Sequence, residues 1–424
     1  MSFAEHMKKV REGFHRTFWV ANGMELFERL AYYGQATVLS VFLRDHLKFT
    51  EIQAGTLSSI FGGLIYLLPI LGGTLADKFG FRKAFSVAFS ILAIGYFLIG
   101  STGMAAFAGV YEGLPLFWVL VAVLVFTAFG GSFIKPSVLG TVAVTSKAEV
   151  KSLGFAIYYW IVNIGAALGP LIAYFVRDKI GIQYVYLVSA FSCALMFAVN
   201  FFFYKEVRDP SQEVHESLGK KLTNLVVVLG NLKFVIFLLI YSLYWIIFWQ
   251  EFIVIPFYVT DYISPEAPFE IIISVGAWTI ILLQLPMERL TRRLSTRTAI
   301  LVGFCVSSLS WLVIWLHPSI PMIIAGIAIF ALGEMTQAPR YYEYISNLAP
   351  KGQQGLFQGY AFLPIAIAWG VGGRLGGWLY QTYAKDAGTP GVVFLVIFGI
   401  GVAAALLMAL YNWVVTARER SAQQ

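Results

Sequence analysis

"GGTLADKFGFRK", residues 72–83, sets Asp77, Lys78, Arg82 and Lys83 in a short polar break between two long apolar runs. A glycine permits tight packing at a helix end, and Asp77 and Arg82 can latch to a neighbouring helix in one conformation only. Apolar runs like its neighbours recur along all 424 residues. The chain is 58% hydrophobic and 12% charged, with a mean hydropathy of +0.74. Soluble domains average about 25% charged residues. Each run is long enough to cross a bilayer, which takes roughly 20 residues. The composition therefore describes an all-α, polytopic membrane protein.

Twelve spans are expected, at 17–43, 53–76, 84–101, 116–145, 152–176, 183–204, 231–261, 269–287, 298–316, 320–348, 354–382 and 391–415. The formal charge of +7 invites a nucleic-acid reading, but the placement of the charges opposes it. With both ends in the cytosol, the outer loops hold only Arg44, Lys48, Arg177, Lys179 and Lys385. Arg29, Lys135, Arg340 and Arg374 fall well inside spans, and the other 21 Lys and Arg are cytosolic or, for Lys233, at the cytosolic edge of a span. That asymmetry follows the positive-inside rule. The first 16 residues are polar and basic, and the first apolar run is too long for a signal core, so no cleavable signal is expected. Cys193 and Cys305 lie in apolar segments and read as packing residues, with no metal site.

The longest polar interruption, "YKEVRDPSQEVHESLGKKLTN" at 204–224, divides the spans six and six. The expected organisation is a six-helix bundle over 1–204, a cytosolic linker over 205–229 and a second six-helix bundle over 230–424. The halves resemble each other. "GGSFIKPS" (130–137) and "GEMTQAPR" (333–340) share a glycine and a proline six residues on, and Gly169 and Gly372 keep the same offset. Such a repeat suggests a transporter with its site between the halves.

"GMELFERLAYYG", 23–34, carries charge into the first span. As a helix it lines Glu25, Glu28, Arg29, Tyr32 and Tyr33 along one face. Each charge at the bilayer centre costs roughly 2.5–3.5 kcal/mol even on the mild insertion scale. The face must therefore meet water or paired charges. Lys135, Asn163, Gln250, Glu251, Glu334, Arg340 and Arg374 add polar groups on other spans. Acids and bases on facing helices suit a proton-coupled carrier, because a carboxylate's proton affinity changes as a lysine approaches or withdraws.

Two resemblances sharpen this reading. The 72–83 loop resembles the G-x-L-x-D-x-x-G-x-R-[RK] signature of the major facilitator superfamily, through Gly73, Leu75, Asp77, Gly80, Arg82 and Lys83. That implies the major facilitator fold, with Asp77 and Arg82 as a conformational latch. "ELFERLAYYG" resembles the E-x-x-E-R-F-x-Y-Y-G motif of the proton-dependent oligopeptide transporter family, with Leu30 for the Phe. "GGSFIKPS", "YYWIVNIGAALGP" and "GEMTQAPRYYEYISNLAPKGQQG" resemble its fourth-, fifth- and tenth-helix segments, in family order. This resemblance implies proton coupling by Glu25, Glu28, Arg29 and Lys135. It implies substrate contacts from Tyr33, Tyr66, Lys135, Asn163 and Gln250, with Glu334 holding a peptide's amino end.

Three departures stand out. Peptide-transporting members usually carry an arginine seven residues after the signature's own, for the peptide carboxylate; here that residue is Ala36. Trp249 stands where the family's seventh helix usually carries an acid, four residues after Trp245, with the family's Gln kept as Gln250 and Glu251 about 100° further round the helix. The tenth-helix S-P-x-G reads "APRY". The function expected is symport of protons with di- and tripeptides or peptide-like solutes. The alternative is a major facilitator antiporter exporting drugs or metabolites. No catalytic or phosphate-binding motif appears, so no enzyme, no cofactor beyond the proton gradient and no nucleic-acid partner are expected. The partners are a small-molecule substrate, protons and membrane lipid, and the protein is expected to be a monomer in a bacterial inner membrane.

Overall fold

The computed structural model describes residues 12–207, 218–350, 357 and 359–421. Residues 208–217 of the expected linker and 351–356 at the edge of the eleventh span lie outside the described residues. Among the described residues secondary structure is helical, apart from one isolated bridge between Phe14 and Ser146. The chain divides into two compact units. The first is Met1–Phe42 with Ile60–Lys220, and the second is Leu43–Ser59 with Lys221–Gln424.

The first unit opens with α1 (Arg16–Val41), capped by the His15 ring, which accepts the Thr17 N–H at 3.2 Å. The second span is bent. α2 (Glu51–Leu67) meets α3 (Pro69–Phe79) at 42°. Pro69 has no N–H for a bond to the turn before it and its ring crowds that turn. α4 (Phe81–Ser101) follows. The expected single span at 116–145 is interrupted into α5 (Leu116–Gly131) and α6 (Ile134–Thr145). Pro136 is again the cause, because it cannot donate to the Ser132 carbonyl. That carbonyl faces Gly72, where an added Cβ would lie 2.5 Å from it. α7 (Lys151–Lys179) and α8 (Gln183–Phe203) complete the unit's spans.

The short helix α9 (Leu218–Leu229) occupies part of the expected linker. The second unit then holds α10 (Leu232–Tyr258), α11 (Phe269–Thr291), α12 (Thr296–Leu316), α13 (Ile320–Leu348), α14 (Leu363–Leu379) and α15 (Pro390–Ser421). Asn231 and Ser295 cap α10 and α12 by accepting the N–H groups of Phe234 and Thr298. Among the described residues nine helices are long and apolar enough to cross a membrane, and the bent α2–α3 pair makes a tenth. The other two of the twelve expected spans are α1, whose charges lower its hydropathy, and α14, which has 17 helical residues.

The loop at 72–83 is held from within its own unit. Gly80, at φ +91° and ψ 151°, turns the chain between α3 and α4. Glu206 then accepts the N–H groups of Phe81 (3.0 Å) and Arg82 (2.8 Å) at the start of α4. The Arg82 guanidinium reaches the Phe201 carbonyl at the end of α8, 2.6 Å away. Side chains other than glycine's avoid this backbone region at a cost of order 1–3 kcal/mol. A Cβ at Gly80 would also press on the Glu206 carboxylate at 3.1 Å. Gly80→Ala is expected to lower stability by about that 1–3 kcal/mol. A thermal-unfolding midpoint in detergent equal to that of the parent protein would refute this account of the turn.

Candidate functional site

In the first unit the charged face of α1 is sealed from every surface. Glu25 is 0% exposed, Glu28 1% and Arg29 4%. The α1–α7 crossing explains how so large a side chain is enclosed. At Gly165 on α7 an added Cβ would lie 2.3 Å from the Arg29 Cβ, so only glycine lets the helices meet there. Close approach through small residues is how membrane helices pack without a hydrophobic drive.

Arg29 does not treat the two acids alike. It hydrogen-bonds Glu28 through Nε and forms an ion pair with it through Nη2. To Glu25 it makes only an ion pair, Nε to Oε1 at 3.3 Å. Neither Glu25 oxygen has a hydrogen-bond donor among the described residues. The guanidinium also lies 4.9 Å from the Tyr32 ring centroid. Lys135, at the start of α6 beside the proline break, feels the charges of Arg29, Glu25 and Glu28. Its ammonium sits over the Tyr66 ring at 4.6 Å, a cation–π contact. Two acids and an arginine of one helix and a lysine of another thus form one neutral set. It can hand charge pairing from one partner to another.

Tyr158 on α7 also stands within electrostatic reach of Glu25, Arg29, Glu28 and Tyr33. It was missed in the sequence, although it belongs to the quoted "YYWIVN" run. Of the expected substrate residues, Tyr33 is half-buried and Tyr66 buried, both near this set. Asn163, half-buried on α7, turns its amide onto the Tyr159 carbonyl at 2.8 Å.

In the second unit Glu334 on α13 is half-buried and Glu251 on α10 is 5% exposed. The two are close enough to repel, and both act on Tyr244. Among the described residues no basic side chain pairs with either acid. Gln250 is turned into helix packing. Its Nε2 donates to the carbonyls of Ile246 (2.8 Å) and Gly372 (3.0 Å), which ties α10 to α14. Trp249, where the family resemblance leads one to expect an acid, stacks on Trp369 with centroids 4.2 Å apart. An aromatic contact between α10 and α14 thus stands where a charge was expected. Arg374 is exposed, and its backbone N–H donates to the Ser59 hydroxyl at 2.9 Å. Arg340 pairs with Glu343 at 3.0 Å.

A second charged cluster was not anticipated. Three helices end in π-helical turns, Phe42–His46 after α1, Val259–Ile263 after α10 and Tyr380–Asp386 after α14. Single π turns occur often at functional positions. These three bring Arg44, Asp261, Tyr380 and Lys385 together inside the second unit. Arg44 meets Asp261 at 3.0 Å and the Thr260 hydroxyl at 2.9 Å, pairs with its neighbour Asp45, and lies 4.2 Å over the Phe257 ring. Asp261 also receives Lys385 at 2.7 Å and the Tyr380 hydroxyl at 2.8 Å. Burial works against the Arg44 charge, but the hydrogen bond and charge of Asp45 and the charge of Asp261 hold its pKa above the ordinary value.

Asp261 is therefore the acid on which both cations converge. Asp261→Asn removes the acid that both cations share and should change the rate of any transport cycle by several-fold while altering substrate affinity little, the pattern expected of a contact that acts on a conformational balance. The check is the maximal rate against the half-saturating concentration in reconstituted vesicles. A large loss of affinity at an unchanged maximal rate would contradict it.

The model of the Major Facilitator Superfamily matches residues 24–264 and 252–423. The chain belongs to that superfamily. Over 194 residues it is 31% identical to dipeptide and tripeptide permease A of Cronobacter turicensis, which covers 45% of this chain and 36% of that protein. The match to the Serratia proteamaculans permease of the same name is 29% over 188 residues. The chain thus aligns with about a third of the length of these permeases. It is also 23% identical to the multidrug resistance protein MdtH of Klebsiella pneumoniae, over 88% of each chain.

Among solved structures, a POT family transporter in complex with 5-aminolevulinic acid superposes with a TM-score of 0.74 at 18% identity, covering 95% of this chain and 97% of that one. The nucleoside transporter NupG superposes at 0.75 with 15% identity. The fold is the major facilitator fold. Two of these relatives are named dipeptide and tripeptide permeases and one structural neighbour is titled a POT family transporter. It is an integral membrane protein.

Proposed function

We propose that the chain is a proton-coupled symporter of di- and tripeptides or peptide-like small solutes, working by alternating access. The observation that carries this is the buried Glu25–Glu28–Arg29 set with Lys135 beside it. Glu28 is committed to Arg29, whereas Glu25 is held only loosely and keeps spare acceptor capacity. Glu25 is therefore the acid that takes the proton, and Lys135 is the cation that exchanges with it. Tyr33, Tyr66, Lys135 and Asn163 contact the solute. Glu334, with Glu251 beside it, supplies negative charge for an amino group. Gln250 acts through the α10–α14 packing next to Glu251. Asp77 and Arg82 form the latch at the loop, with Glu206 as an added partner. Proton movement down its gradient is the only energy source required. The protein works as a monomer in a bacterial inner membrane with both termini cytosolic. Its two bundles run over 1–204 and 230–424, joined by the 205–229 linker.

The test is purified protein in liposomes with an imposed pH gradient, inside alkaline, and a panel of labelled di- and tripeptides. Gradient-dependent accumulation of a peptide supports the reading; no accumulation of any peptide refutes peptides as the solute. Two observations favour a second reading, proton antiport of drugs or metabolites. MdtH matches 88% of the chain, and Ala36 removes a carboxylate-binding arginine. In the same vesicles, gradient-driven movement of a cationic dye against the proton flux would select that alternative.

A further inference from the structure

We propose that a groove between α1, α7 and α8 holds one acyl chain of an anionic phospholipid. The groove lies within the first unit and encloses about 210 Å³. It rests on the membrane placement of these helices and not on the identity of the transported solute.

The recess follows from the residues at its floor. Gly34 and Gly169 bring the α1 and α7 backbones together, where a Cβ on Gly169 would lie 2.8 Å from the Leu30 carbonyl. Next to that contact, Ala31 and Ala173 are too small to fill the space up to α8. The result is a pit deeper than the furrow between ordinary side chains. Its rim is open, with Ile172 40% exposed, Leu195 43% and Phe191 71%.

The chemistry of the lining selects hydrocarbon. Only Ser189 and Ser192 bring polar atoms to it, and both give their hydroxyls to α1 carbonyls, of Ala31 (3.2 Å) and Phe27 (3.1 Å). Nothing there calls for water, and apolar cavities of this kind stay dry or take apolar guests. A polar solute would leave its hydration shell for a wall with no partner to offer. α7 and α8 are both long and apolar enough to span a membrane, so lipid tails are the guests at hand.

Charge at one end selects the headgroup. Val176 and Val185 close the groove where α7 ends. Three residues past Val176, about 4.5 Å along the helix axis, comes Lys179, preceded by Arg177 and Asp178. Lys179 is 76% exposed and shares its charge with Asp178 at 2.9 Å. The trio keeps one net positive charge beside the groove mouth. Near a membrane surface one net positive charge of this kind attracts an anionic headgroup by roughly 1 kcal/mol. A phosphatidylglycerol with one tail in the groove satisfies both features.

The experiment places the full chain in phosphatidylcholine nanodiscs containing trace phosphatidylglycerol with a diazirine on one tail. After irradiation, adducts are mapped by mass spectrometry. Adducts on Ile172, Phe191 and Leu195 are expected to exceed those on exposed residues elsewhere, such as Leu282 and Leu406, by about ten-fold, the equivalent of a 1.4 kcal/mol preference. Ser192→Trp fills the groove and should bring groove labelling down to the level at Leu282. Leu195→Trp, a milder change at the exposed rim, should reduce it in part. Replacing Arg177 and Lys179 together by Gln should remove the preference for phosphatidylglycerol over a phosphatidylcholine carrying the same tail. Even labelling over all exposed spans overturns the site, as does groove labelling unchanged in both tryptophan variants. Equal labelling by the two lipids in the parent protein overturns the anionic headgroup.

Discussion

Uptake driven by a pH gradient is expected to disappear in Glu25→Gln and in Lys135→Ala, while both proteins still fold and insert. The reasoning starts from the inequality within the α1 set. Arg29 is locked to Glu28 by a hydrogen bond and an ion pair, and touches Glu25 only at 3.3 Å. Removing Arg29 would strand two buried acids, and breaking a buried pair in that way costs about 3–5 kcal/mol. Arg29 variants would therefore mix unfolding with loss of coupling. Glu25→Gln keeps the size and leaves the Arg29–Glu28 pair intact. Lys135→Ala removes a cation that already has the Tyr66 ring as a second partner. A charged hydrogen bond that Glu25 or Lys135 makes in another step of the cycle is worth roughly 1.5–3 kcal/mol, or about one to two decades in rate or affinity. Gradient-driven uptake should fall by at least that much. Counterflow, which needs no net proton movement, should survive in part. The measurement is both assays on the same vesicles, with monodispersity on gel filtration as the folding check. Gradient-driven uptake at the parent rate in both variants would make the cluster a structural pin.

The second large effect runs in the opposite direction. Ala36→Arg is expected to tighten dipeptide binding. Ala36 stands seven residues after Arg29 on α1, two helical turns along the same face, and is half-buried. An arginine there presents a planar fork that takes a carboxylate in two parallel hydrogen bonds. The gain expected is again roughly 1.5–3 kcal/mol, so dissociation constants should fall by about one to two decades. Titration calorimetry of purified protein with a set of dipeptides measures it directly. Two results together would sink the peptide reading: no gain for any dipeptide, and displacement of bound ligand by an uncharged or purely cationic compound. The first alone would show that Ala36 faces away from the solute's carboxylate.

Much of this protein was legible one residue at a time. Hydropathy and the positions of Lys and Arg depend on local composition, so the apolar runs could be read without a fold. The face carrying Glu25, Glu28 and Arg29 follows from a 3.6-residue period, which is also local. The bend at Pro69 and the break before Pro136 are local consequences of a missing N–H, although the 116–145 run showed no sign of interruption in its hydropathy. Gln250 and Trp249 mark where linear reading ended. Their spacing along α10 was clear, but that Gln250 would spend its amide on Gly372, or Trp249 its ring on Trp369, depends on which helix lies beside them.

The charge cluster at the helix ends shows the same limit more sharply. Arg44 and Asp261 are separated by 217 positions, and Lys385 lies farther still along the chain. In the sequence Arg44 and Lys385 were only loop charges that set an orientation. Three π turns, none with a composition signal of its own, bring them onto one carboxylate. The groove at Gly34 and Gly169 has the same origin. Each glycine could be read alone, but a pit exists only where two backbones touch and α8 stands off from them. The sequence by itself determined the class of protein, the order of its spans and the charged face of α1, because those properties are carried by neighbours along one helix. Only the tertiary structure decided which charges share a partner and where a cavity opens, because a contact is a property of two segments and of the distance between them.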